Sequence, residues 1–223
     1  MRETDRDRQR EATRRRLYEA SIDEISREGL EAASVDRITK AAGTSRTAYY
    51  FHFPHKESVI EMLNQRLGNE LASGLGELDG EAGFEVALQT ANAVMVRFFG
   101  EGRLLASAAA TVWLSTRHVD RPRALLLDRV SRDHRVAPLD AEELVDRLLI
   151  MQWMTVLGWS VGQHESLADA LTMLTELLLH GVRPPSARAA GEPTPHQPHR
   201  APATRRVFTT SRSVKQMGEA LHA

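Results

Sequence analysis

The sequence predicts an all-α fold. Three observations carry that prediction. Apolar residues recur at three- and four-residue spacing through most of the chain, no stretch alternates convincingly in the rhythm of a strand, and Ser, Asp and Gly stand where helices need caps and stops. A length of 223 residues suits a head-and-body division, expected as residues 1–55 and 56–183. From Pro184 the composition changes to Pro, Ala, Arg and His with few large apolar side chains, so residues 184–223 read as a disordered tail.

Each element has a local reason. A first helix is expected from about Arg8 to Glu28, with Leu17, Ala20 and Ile25 on its apolar face and Gly29 ending it. Ser34 is placed to cap a short second helix holding Val35, Ile38, Ala41 and Ala42, which Gly43 breaks. Ser45 caps a third, reaching about Phe51. Pro54 punctuates, and a fourth runs from about Lys56 to Glu77, closed by the glycine- and acid-rich Gly74–Gly83 stretch. Five more follow, near Ala82–Gly100, Arg103–Thr116, Arg121–Asp133, Ala141–Gln163 and Leu167–His180. Asp140 and Ser166 are N-caps for the last two, and Pro122 suits a first turn. A marginal helix could form over Val207–Leu221.

Composition removes several function classes. There is no cysteine, so disulfides, thiolate catalysis and Cys-based zinc sites are out. Met1–Arg16 is crowded with charge and lacks the apolar core of a signal peptide. The longest apolar runs, near Leu104–Leu114 and Leu148–Val161, are too short or too interrupted to span a bilayer. No membrane association and a cytoplasmic location are the expectations. Charge is unevenly spread: residues 1–56 hold 12 basic and 10 acidic side chains, residues 57–183 hold 11 and 18, and residues 184–223 hold 6 and 2. A cationic head on an acidic body fits a protein that offers one end to a polyanion.

The stretch Val35–Glu57 carries the functional reading. Two short helices meet at a glycine turn, with small Ala41 and Ala42 at the elbow, and Gly43 supplies a backbone conformation that a Cβ resists. This is helix-turn-helix architecture, whose second helix enters the major groove of duplex DNA. That helix and its exit offer Arg46, Thr47, Tyr49, Tyr50 and His52 to bases or phosphates, and Lys56 stands where a helix start and a cation together could hold a phosphate.

These residues resemble the TetR family of bacterial repressors. Ile38, Ala42, Gly43, Ser45, Tyr50, His52, Phe53, Lys56 and Glu57 stand in that family's register, and Gly29 and Ser34-Val35 also match. The resemblance covers about residues 10–63. It implies an N-terminal three-helix DNA-binding domain with a helical ligand-binding and dimerisation domain behind it. It also implies that Ser34, Tyr50, His52 and Lys56 hold phosphates beside the Ser45 cap, and that Arg46, Thr47, Arg37 and Tyr49 face base edges, with Phe53 and Ile38 in the core. Thr39, Thr47, Tyr49 and His55 depart from the usual pattern. Against these roles stand plainer ones: Tyr49 as core, His52 packed on the first helix, and Arg14, Arg15 and Arg16 as a solvated face rather than a contact to the DNA backbone.

The body adds two expectations. The helix around Trp153 and Trp159 is apolar nearly all round, which calls for cover by a second subunit. With the last helix it would build a homodimer interface, as the resemblance implies, with Gly158 and Gly162 permitting close helix contact. The resemblance also implies a pocket for a small apolar effector, with Met95, Phe98, Phe99, Trp113 and Met151 as walls and His118 or Gln152 as the polar contact, although residues at helical spacing are more often plain core. The partners expected are a double-stranded, palindromic DNA operator, a second copy of the chain and that effector. No cofactor, metal or catalytic residue is expected. The alternatives are a DNA-binding regulator switched by a protein partner or by modification of the tail, where Thr209, Thr210, Ser211 and Ser213 lie beside basic residues, and a helical enzyme. The pairs His52/His55 and His196/His199 are the nearest thing to a metal or catalytic cluster, and no phosphate loop or activated nucleophile appears.

Overall fold

The fold starts from caps. In the computed structural model, which describes residues 5–116, 120–133 and 140–180, Ser34 opens a short helix by accepting the Arg37 amide, and Ser45 opens the next by accepting the Ala48 amide. The described residues form α1 (Asp5–Ala32), α2 (Val35–Ala41), α3 (Arg46–His52), α4 (Glu57–Gly76), α5 (Phe84–Phe99), α6 (Arg103–Thr116), α7 (Asp120–Arg132), α8 (Ala141–Ser160) and α9 (Leu167–His180). Gly29 leaves helical geometry at φ 79°, which is why α1 turns just beyond Glu28 and its last residues serve the corner. Gly43, at φ 63°, separates α2 from α3. Asp140 accepts the amides of Glu142 and Glu143 at the start of α8. The tail, the Val207–Leu221 helix and His118 lie outside the described residues.

One core runs through the described residues, which lie within a single compact unit. In the head, Leu17, Ile25, Ile38, Tyr49 and Phe53 are all but inaccessible, joined by Val59 and Ile60 of α4. Helix α6 is the axis of the body. Its Ala106, Ala108, Ala109 and Ala110 are buried, and these small side chains let it press against α1, α4 and α8. Trp113 of α6 stacks on Trp153 of α8, with ring centroids 5.3 Å apart, and Phe99 of α5 meets Trp153 edge-on.

Buried polar groups fix how the helices join. Arg103 donates to the carbonyls of Trp159 and, at 2.9 Å, of Glu165, while lying over the Trp159 ring, so a cation from α6 closes the C-terminus of α8. Arg129 donates to Leu75, Asp79 and Ala82 and does the same for α4. Gln152 donates to Asn92 and Asn92 to Thr175, each at 2.8 Å, tying α8, α5 and α9 together.

One expectation for the last helices needs correction. Helix α8 stops at Ser160 rather than Gln163, because Gly162 turns at φ 88°. Within the chain, Gly158 and Gly162 bring no other helix close among the described residues. A Cβ on Gly158 would meet the Gln163 side chain at 2.8 Å, so that glycine makes room for the turn after its own helix.

Candidate nucleic-acid interface

The DNA-reading helix is only seven residues long, so its faces are few. Tyr49 and Phe53, four apart, point into the head; Arg46, Thr47, Tyr50 and Phe51 point out. Tyr50 is 46% exposed and Phe51 65%, unusual for aromatic side chains on a soluble surface. Tyr49, expected among the base-facing residues, is completely buried and packs against Tyr50 and Phe53. It is core, and burial raises its hydroxyl pKa. Phe51 is not among the residues that the sequence motif marks for DNA; the signal for it is the inward pair Tyr49 and Phe53, which forces the residue between them outward.

The corner beneath α3 is held by a buried carboxylate. Glu24 on α1 accepts the Ser34 amide at 3.0 Å and the Arg37 guanidinium, whose Nη2 lies at 2.6 Å, with Arg27 at 3.2 Å. The Arg37 hydrogen bond, aided by the Ser34 amide and the two positive charges, outweighs burial and holds the Glu24 carboxyl below its usual pKa. Arg37 therefore braces the α1–α2 corner through Glu24 while its side chain stays 56% exposed. Lys56 has a similar task. Its ammonium donates to the carbonyls of Glu31 at 2.8 Å and Ala33 at 3.2 Å, tying the start of α4 to the corner that follows α1.

Two surface hollows flank α3. One, of about 470 Å³, brings Ser34, Arg46, Tyr50, His55 and Lys56 together with Asp36. Arg46 donates to Asp36 at 2.9 and 3.1 Å, so its guanidinium is held ready at the mouth of this hollow. The other joins Arg10 and Arg14 of α1 to Phe51 and His52. Arg10 lies over the Phe51 ring at 5.0 Å. Burial, together with the charges of Arg10 and Arg14, holds the His52 imidazole below its usual pKa. Arg15 instead pairs with Glu19 along the helix. Ser45 is spent as the cap of α3, and Thr47 is exposed beside Arg46.

Among the described residues, those named for an apolar body cavity do not together surround one, and Trp113 instead borders a space where the head meets the body. Met95 and Gln152 border a void of only about 10 Å³, too small for any effector. Gln152 is bound to Asn92, and Phe99 and Trp113 are filled in around Trp153. Phe98 is half-buried beside Phe99, and Met151 faces outward on α8. No group of three or more metal-ligating side chains forms among the described residues, and no helix there is long and apolar enough to cross a membrane.

The model for bacterial regulatory proteins of the tetR family matches residues 17–63, from the buried Leu17 of α1 to Leu63 of α4. That stretch is a tetR-family helix-turn-helix head, and the chain that carries it is a DNA-binding transcriptional regulator. The chain is 28% identical over 157 residues to the HTH-type transcriptional regulator EthR of Mycobacterium tuberculosis, covering 64% of this chain and 73% of that one. It is 31% identical over 74 residues to the regulator YvdT of Bacillus subtilis, covering 33% and 38%. Its TetR fold matches that of the Bacillus subtilis FadR in complex with stearoyl-CoA, at a TM-score of 0.59 and 16% identity over 76% of this chain and 99% of that one. Thermus thermophilus FadR in complex with lauroyl-CoA gives 0.56 and 20%, over 80% and 100%.

Proposed function

We propose that two copies of the chain repress transcription by binding a palindromic operator, and that a small apolar effector releases them. The outward face of α3 carries the reading. Arg46, Thr47, Tyr50 and Phe51 stand clear of a head whose corner is pinned by Glu24, and flanking cations on α1 meet the phosphate backbone. Ser34, Tyr50 and Lys56 line the hollow that receives one phosphate, and His52 faces a second. The region ahead of α4 serves as the DNA-binding domain and the rest through residue 183 as the regulatory domain. A regulator of this kind works where the DNA is, in the cytoplasm, and carries out no catalysis.

The second copy is drawn by α8 and α9. Met154, Val161 and Met173 are 51%, 63% and 60% exposed, and Met151 and Leu177 on the same two helices are exposed as well, apolar surface that a monomer rarely leaves open. A two-fold axis there sets two α3 helices against two half-sites of a symmetric operator. The effector part of the reading extends to this chain the ligand-bound state of the two FadR structures, which share its fold.

Fluorescence anisotropy with operator DNA recovered from the native genome tests the function. Tight, salt-dependent binding that is lost on adding effector is expected. Salt-independent or absent binding would remove the reading.

A further inference from the structure

A larger cavity lies outside the interior of the body and shares Arg14 and His52 with the hollow beside α3. It sits at the seam where the head meets the body, has a volume of about 570 Å³, and is walled by α1, α3, α4, α6 and the start of α7. That volume accommodates a small organic molecule.

Three features of the wall point to an occupant. Asn64 and Trp113 are 8% and 3% exposed, and each has a buried polar atom, Oδ1 and Nε1 respectively, with no hydrogen-bond partner. The Asn64 amide is pinned by its own donation to the Ala109 carbonyl at 3.0 Å, so its oxygen cannot turn to find a partner elsewhere. Orphaned buried polar groups are costly and rare, and a ligand that reaches them recovers that cost. The second feature is Gly68, in the middle of α4. It weakens the helix, yet a Cβ there would meet nothing within 4 Å. A larger side chain there would fit the helix and reach into the cavity, space that Gly68 leaves open. The third is charge. Arg14, Arg121 and His52 border the cavity against a single acid, Glu61. Burial first, then the nearby Arg10 and Arg14 charges, lower the His52 pKa. Phe53, Met62 and Pro122 supply apolar floor.

We infer that the seam cavity binds a small amphipathic anion: a flat apolar body against Phe53, Met62 and Trp113, and an anionic end between Arg14 and Arg121. Because one wall is the exit of α3 and another is α6, an occupant fixes the position of the DNA-reading helix relative to the body. It couples to operator binding without filling the closed interior around Trp153. This rests on the ligand-switched reading above and gives the effector a place and a charge.

The test uses the full chain and two fluorescent probes with the same ring framework, 8-anilinonaphthalene-1-sulfonate and its uncharged counterpart N-phenyl-1-naphthylamine. Wild type is expected to bind one sulfonate probe per chain. Gly68→Leu, which fills the cavity from a helix that tolerates the change, is expected to weaken both probes at least tenfold while melting cooperatively. Arg121→Gln, an exposed substitution that leaves folding intact, is expected to weaken the sulfonate about five- to tenfold and the neutral probe less than twofold. Equal binding of both probes by wild type and Gly68→Leu would overturn the site, and so would an Arg121→Gln effect that is absent or the same for both probes. Operator affinity is measured on the same samples. Operator binding that persists where probe binding fails refutes the seam site and leaves the regulator standing. Probe binding without operator binding refutes the regulator and leaves the site.

Discussion

Glu24 shows how much one side chain can hold. Its carboxylate is the shared acceptor for the amide that opens α2 and for Arg37, in a place where water cannot substitute. Replacing it by Gln loses charge-assisted hydrogen bonds and is expected to cost about 1–3 kcal/mol, read as a lower melting temperature. The pH dependence has a fixed sign. Because its folded pKa is depressed, Glu24 contributes stability that is present above its unfolded value of 4.5 and is lost as pH falls through the folded value. Acid melting curves of Glu24→Gln should therefore lose part of that slope; an unchanged acid limb would show that Glu24 is not the group. Lys56→Ala is expected to lower the melting temperature as well, since its ammonium holds two carbonyls of the corner. A full loss of one unit of salt slope with unchanged melting would assign Lys56 to a phosphate alone. Arg46→Ala, by contrast, should leave melting unchanged and relax base preference at one position per half-site by roughly ten- to a hundredfold. Equal loss on operator and random DNA would make Arg46 a backbone contact.

At the scale of helices, much is legible in the sequence. Caps and stops are local, so Ser34, Ser45 and Asp140 and the breaks at Gly29 and Gly43 can be read directly. What cannot be read depends on pairing at a distance. Arg37 looks like any exposed base-reading arginine until Glu24, thirteen residues away, is folded against it. Tyr49 proves buried and Phe51 exposed, which a seven-residue helix has too few turns to show by periodicity. The body cavity fails for a related reason: Met95, Gln152 and Trp113 are all inward, but which of them meet empty space depends on how α5, α6 and α8 rotate against one another. The same helices carry a prediction. Met154→Glu together with Met173→Glu places charge on the outward apolar face of α8 and α9. Light scattering should then report a folded monomer where wild type is a dimer. A variant that stays dimeric would move the interface elsewhere.

The molecule joins a reading head to a body through α1, α4 and α6, and two α3 helices, one from each copy, are expected to recognise DNA. A two-fold dimer demands a two-fold site, with half-site centres about one helical turn apart, roughly 10 base pairs, or a multiple of it. Selection from a pool of random duplex DNA, followed by sequencing, tests this whichever genes are regulated. The expected result is a strongly enriched inverted repeat, with one position in each half losing its preference when Arg46→Ala is selected in parallel. An unenriched pool, or a single asymmetric motif, would rule out two-fold recognition by α3.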